Sequence, residues 1–284
     1  MKTEEPGWTT VIQPKSSFLQ LNLRELFQYK DLIMLFVWRD FVSLYKQTIL
    51  GPLWYIIQPL FTTITFTIIF GHIARIPTGG IPPVLFYLSG LTLWNYFASC
   101  LIKTSNTFVA NAGIFGKVYF PRLTVPISIV ISNLLSFAIQ FLLFILFVLY
   151  FALSGSGLIK PNLYFLMVPL LVLIMAGLGL GFGILISSLT TKYRDLAQLV
   201  NFGVQLLMYA TPIIYPLSGI PDKYKLYLEL NPMTSLIEAF RYGTIGSGSF
   251  SVPGIVYSFI FMVTLLLSAI ILFNRVEKTF MDTV

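Results

Sequence analysis

From residue 47 onward the chain alternates long stretches free of Asp, Glu, Lys and Arg with short polar joints, and six such stretches stand out, at 47–74, 76–102, 123–159, 161–191, 196–221 and 242–274. Crossing ~30 Å of hydrocarbon takes a helix of roughly 20 residues, so each is long enough to span a bilayer. Trimming at turn signals predicts spans near 52–73, 84–101, 126–151, 163–187, 198–216 and 254–273. Ser154-Gly155-Ser156-Gly157 and Pro161-Asn162 divide the third from the fourth. Ahead of the first span, residues 34 to 49 place Val37, Trp38, Phe41, Leu44, Tyr45 and Ile49 on one helical face, opposite Arg39, Asp40, Ser43, Lys46 and Gln47. This 3.6-residue period predicts a helix lying in the membrane interface. Gly51-Pro52 then lets the chain turn from lying flat to crossing. The expected fold is all-α: a cytoplasmic tail over 1–30, an interface helix over 31–51 and a six-helix transmembrane domain over 52–284.

Composition agrees with the pattern. Hydrophobic residues make up 56% of the 284 and charged residues only 10%, against about 25% charged in soluble domains. With the N-terminus placed in the cytoplasm, 13 of the 18 Lys and Arg fall in inside segments, so the positive-inside rule predicts a multi-pass inner-membrane protein with both termini cytoplasmic. The net charge of +7 is thus a topology signal. It forms no basic patch interleaved with aromatics outside the membrane, which argues against a nucleic-acid partner. No secretory leader is expected, because the first fifty residues are charged and lack a short apolar core with a small-residue cleavage site. Cys100 and His72 each stand alone, so neither a disulfide nor a metal site is expected.

Four stretches carry a resemblance. Arg39-Asp40, Tyr45-Lys46, Leu50-Gly51-Pro52 and Trp54 lead to Gln58-Pro59-Leu60; Phe120-Pro121-Arg122 and Pro126 precede the third span. Tyr193-Arg194-Asp195-Leu196 joins the fourth to the fifth, and Thr211-Pro212-Ile213 is followed by Asn231-Pro232 and Arg241. In order, and at these places among six spans, they resemble the ABC type-2 permeases that export lipid-linked O-antigen, capsule or teichoic-acid chains. The resemblance implies two permease chains paired around the path, a separate ATPase docked on the cytoplasmic side, and re-entrant helices before the last span acting as an outer gate.

The chain's own residues bear on its energy source. The trimmed spans hold no Asp, Glu, Lys or Arg, so a proton relay lacks its groups. Gly116-Lys117 is the nearest approach to a phosphate loop, but Asn111 and Val118 break G-x-x-x-x-G-K-[ST] at two positions. No cofactor is expected in this chain; ATP and magnesium belong to the partner subunit. A contact for that partner is expected at Asn111–Phe120, with Phe115 and Tyr119 as knobs and Lys117 on an acidic rim. Arg39 and Lys46 would form a second contact, and Arg194 with Asp195 a third. An ordinary solvated loop is the alternative for the first, and local charge satisfaction for the last.

Polar stripes mark candidate path-lining faces: Tyr55, Gln58, Thr62 and Thr65 in the first span; Asn201, Gln205 and Tyr209 in the fifth; Ser128, Ser132, Ser136 and Gln140 in the third. Such residues also serve as interhelical hydrogen-bonding groups, and the third stripe fits that role best. Glu238 and Arg241, three apart on a helix over Met233–Ile245, belong either to an outer gate or to an extracellular cap. Two other readings remain: a type-2 exporter of a small hydrophobic drug or lipid, and a membrane glycosyltransferase or polymer ligase using Asp222, Glu229 and Glu238 with Lys223, Lys225 and Arg241.

Overall fold

The computed structural model describes residues 23–46, 49–115, 117–118, 120–154, 159–190 and 195–279. Regular structure among them is entirely helical. In chain order the α-helices are α1 (Leu23–Gln28), α2 (Lys30–Lys46), α3 (Trp54–Phe66), α4 (Pro83–Ser105), α5 (Thr107–Phe115), α6 (Thr124–Leu153), α7 (Val168–Thr190), α8 (Leu196–Tyr209), α9 (Asp222–Glu229), α10 (Pro232–Ile245) and α11 (Val252–Thr279). Short turns extend two of them: a π-helical stretch over Thr67–Ile73 continues α3, and a 3₁₀ turn over Leu163–Met167 leads into α7.

Five of these segments are long and apolar enough to cross a membrane: Trp54–Ile73, Pro83–Ser105, Thr124–Leu153, Leu163–Thr190 and Val252–Arg275. The expected sixth, over 198–216, is not a single helix. Helix α8 ends at Tyr209 after 14 residues, or about 21 Å at 1.5 Å per residue. The cause is Pro212: proline lacks the N–H a helix would need there, and it disfavours helical geometry at Thr211 before it. A charge-free run read straight through this break. On either side of this segment, the Thr190 hydroxyl donates to the Ser105 carbonyl at the end of α4, and the Pro212 carbonyl accepts from Arg241, which also donates to Ser89 near the start of α4.

At the other joint Gly51 has φ +45°, in the left-handed region where a Cβ is strained, three residues before α3 begins. Helix α2 lays Met34, Leu35 and Trp38 outward, all more than half exposed, while Phe36 is buried against the bundle. Phe36 lies off the expected apolar face, so α2 has a second apolar side that packs on protein.

Helix α4 is the central element, with 78% of its most apolar window buried, against 17% for Trp54–Ile73 and 22% for α6. Its closest neighbour is α7, and small residues set that closeness. A Cβ built on Gly179 would sit 2.7 Å from Cys100 Cβ, and one on Gly183 would sit 3.1 Å from the Leu101 carbonyl oxygen. Bulkier residues would push α4 and α7 apart. Opposite this seam, a Cβ on Gly181 would fall 2.9 Å from Leu265 Cγ of α11. Helices α4, α7 and α11 therefore form a tight core. By contrast α8 buries only Val204 within its span, and α3 only Pro59 and Thr63.

Candidate functional site

The two ends of the bundle differ in chemistry. At one end, α10 enters through Asn231, whose side chain accepts from the Met233 N–H, with Pro232 at the first helical position. It stops at Gly246, which takes φ +75°. Twelve of its fourteen residues are buried, including Glu238 and Arg241. Arg241 is the hub of this end. Its Nε donates to Ser89 Oγ (3.1 Å), Nη1 to the Pro212 carbonyl (2.5 Å), and Nη2 to the carbonyls of Ile213 (2.9 Å) and Phe86 (3.3 Å). The guanidinium also lies 3.8 Å from the centre of the Phe86 ring. Glu238 Oε1 is 3.5 Å from Arg241 Nη1, while its Oε2 accepts from the Ser249 N–H (3.0 Å). The expected Glu238–Arg241 pair is therefore present and buried, but most of the guanidinium's bonds go to neutral oxygens. Those bonds tie α10 to α4 and to the segment that breaks α8. A cavity of about 300 Å³ opens beside them, bordered by Lys225 and Glu229 as well. On exposed α9, the Lys225 ammonium 2.7 Å from Asp222 holds that carboxyl below the usual carboxylate range.

The opposite end is closed by rings. Phe36 of α2 meets Phe120 (5.9 Å between centroids), Phe120 meets Phe115 (5.7 Å), Phe115 meets Phe108 (6.0 Å), and Phe108 stacks on Phe273 of α11 (4.8 Å). The Arg122 guanidinium caps the Phe115 ring at 5.7 Å. Phe115 is thus a core residue, 5% exposed, rather than the projecting knob expected of it. The cause is that α5 already begins at Thr107, so Phe115 stands seven residues after Phe108, about two turns, and shares its buried face. Val109, Ile114, Lys117 and Val118 form the exposed tip instead. Asn111 is half-buried and donates to the Thr107 carbonyl. Tyr119 and Arg194 lie outside the described residues. Asp195 is exposed just before α8, Lys46 is exposed at the end of α2, and Arg39 is bound to Asp40 (2.8 Å).

The candidate lining residues divide. Gln58 on α3 and Asn201, Gln205 and Tyr209 on α8 are exposed, and Thr62 is half-buried. Tyr55 instead borders a cavity of about 590 Å³ between α2, α4, α5 and α6. The third-span stripe turns inward: Ser128, Ser136 and Gln140 are buried, and Gln140 Oε1 accepts from Asn95 Nδ2 of α4 (3.1 Å). Along these three positions it is a packing seam, while Ser132 borders the cavity of about 590 Å³. Lys103 was assigned no role from sequence, yet its Nζ donates to Asn133 Oδ1 (2.9 Å) across α4 and α6. An Asn facing the end of a neighbouring span is the one local sign of that contact. Among the described residues no group of three or more His, Cys, Asp and Glu could hold a metal ion.

The family profile described as ABC-2 type transporter matches residues 31–245. The chain belongs to the ABC-2 type transporter family. Within that match fall α2 from residue 31, the rings of Phe36, Phe108, Phe115 and Phe120, and the Arg241 hub. Similar curated proteins include an O-antigen export system permease protein RfbA of Klebsiella pneumoniae, 30% identical over 93% of this chain and 98% of its own length. A protein of the same description from Myxococcus xanthus is 29% identical over 77% of this chain and 82% of its own. The polysialic acid transport protein KpsM of Escherichia coli is 27% identical over 68% and 72%.

Proposed function

We propose that this ABC-2 family chain is the permease subunit of an exporter that moves a lipid-linked polysaccharide out of the cytoplasm, driven by a separate ATPase. The observation that carries it is the likeness to an O-antigen export permease over 93% of this chain and 98% of that protein. The geometry supports the same reading. The polar faces of α3 and α8 stay exposed in the single chain, which fits a path completed by a second copy of it. A hydroxyl-rich polymer is matched by the neutral groups Gln58, Thr62, Asn201, Gln205 and Tyr209 rather than by buried charge.

In this reading the end bearing α2 and α5 faces the cytoplasm, in keeping with the Lys and Arg distribution, and the segment containing α8 makes the sixth crossing. The exposed tip of α5, with Lys117, receives the ATPase; exposed Lys46 and Asp195 offer it two further contacts. Helix α10, buried among α4, α7 and α11, acts as a re-entrant element at the outer end, its polar groups satisfied by protein. ATP and magnesium bind the partner, and this chain contributes the conduit and its gates.

The test is reconstitution. Vesicles holding this chain with its ATPase should translocate lipid-linked glycan upon ATP addition, and deleting the chain in cells should trap that glycan in the cytoplasmic leaflet. Translocation by the chain alone under a proton or sodium gradient would overturn the proposal.

A further inference from the structure

We propose that the cavity of about 590 Å³ bounded by α2, α4, α5 and α6 is a binding site for the phosphate of a lipid headgroup. Position is the first argument. The cavity lies where α4 ends and α6 begins, at the adjoining ends of two helices long and apolar enough to cross a membrane. Helix α2 flanks it and turns Leu35 and Trp38 outward, as a helix in the interface plane does.

Unspent hydrogen-bonding capacity is the second. Asp40 Oδ1 accepts from both Nε (3.0 Å) and Nη2 (2.8 Å) of Arg39, so these two charges offset one another. Lys103 is left as the net charge of the cavity. An ammonium has three N–H donors, and the structure commits one of them, to Asn133 Oδ1. Asn106, Asn111 and Asn133 each give an amide proton to the carbonyl four residues earlier, which leaves each a second amide N–H. The Ser132 hydroxyl, also on the wall, finds no partner. Asn106 and Asn111 also offer their side-chain oxygens, so the wall can both donate and accept; the imbalance lies in charge, one net positive beside several free donors, which suits an anionic ligand rich in acceptor oxygens. Phosphate supplies these, and Lys is a frequent point-charge partner for it. Apolar wall residues such as Ile102, Ile129 and Leu135 would take the first methylenes of the attached chain.

The phosphate has two sources, a bilayer phospholipid or the diphosphate of a polyprenyl-linked cargo, and only the second rests on the export reading. The competing account is that Lys103 merely offsets the C-terminal dipole of α4; its loss would then lower stability without changing lipid preference.

The experiment is native mass spectrometry of the full-length chain titrated with four lipids: phosphatidylglycerol, a polyprenyl diphosphate, and the phosphate-free diacylglycerol and polyprenol. The wild-type chain should hold at least one phosphate-bearing lipid about tenfold more tightly than its phosphate-free counterpart, the worth of a single charge-assisted hydrogen bond. Lys103→Met should erase that preference and Lys103→Arg should keep it. Preference for the diphosphate marks a cargo entrance. Binding of phosphatidylglycerol but not of the diphosphate still supports the site, while counting against a diphosphate-linked cargo. The proposal is overturned if wild-type protein binds the phosphate-free lipids equally well, a result that needs no variant to fold, or if Lys103→Met keeps the preference.

Discussion

Replacing Arg241 by Met is the most demanding perturbation the structure offers. The substitution keeps an unbranched chain of similar reach but removes four hydrogen bonds, to Ser89, Pro212, Ile213 and Phe86, and leaves Glu238 buried beside no cation. Each bond to a charged donor is worth about 1.5–3 kcal/mol net. Removing the guanidinium also recovers the cost of burying it, so the sum overstates the loss. Breaking a buried pair by deleting one partner costs roughly 3–5 kcal/mol, and this is the expected destabilisation. Arg241→Lys retains the charge but not the fork that reaches carbonyls on two segments, and should cost about half as much. Reversing both charges, Glu238→Arg with Arg241→Glu, should fail to rescue, because a carboxylate at 241 would face the carbonyl oxygens that now accept from Arg241. The assay is unfolding of the purified protein in mixed micelles by titrated denaturing detergent, alongside glycan export in cells. A loss under about 1 kcal/mol for Arg241→Met, or recovery in the double reversal, would refute the hub.

Gly183→Val should cost about 1–3 kcal/mol by overpacking the α4–α7 seam, read as reduced folded protein in the membrane fraction. Phe115→Ala should lower stability by about 3–5 kcal/mol, whereas Lys117→Glu should leave unfolding within ~0.5 kcal/mol of wild type and reduce co-purification of the ATPase. Gln140→Leu should shift stability by about 0.6 kcal/mol, at most ~1.7, without altering export, since its bond to Asn95 is internal packing. Gln205→Trp on exposed α8 should do the opposite, blocking export while unfolding normally; unimpaired export would remove α8 from the path.

Periodicity and the absence of charge made most of this bundle legible, because a bilayer imposes one constraint on every spanning segment: its length must be apolar. The fifth segment reads as one helix over 198–216 because its apolar run continues past Pro212, yet the backbone consequence of that proline outweighs the run. The Glu238–Arg241 pair could be read because its spacing is local to one helix. The larger role of Arg241 could not, because Ser89 and the Phe86 carbonyl lie some 150 residues away in sequence and a carbonyl leaves no mark in the sequence. Phe115 reads from sequence as a projecting ring because a loop aromatic looks the same whether it faces solvent or a neighbouring ring. The pairing of Lys103 with Asn133 was invisible for a related reason: it depends on which faces of α4 and α6 meet.

Helix α4 begins beside the Arg241 hub and finishes at Ser105, two residues before α5. Its 23 residues carry no proline after the first position, making a rod about 35 Å long. Such a rod resists compression along its axis, so thrust delivered at its lower tip has little room to dissipate before reaching the carbonyl of Phe86. The Arg241 hub and the ring cluster, at opposite ends of the bundle, thus share one stiff shaft.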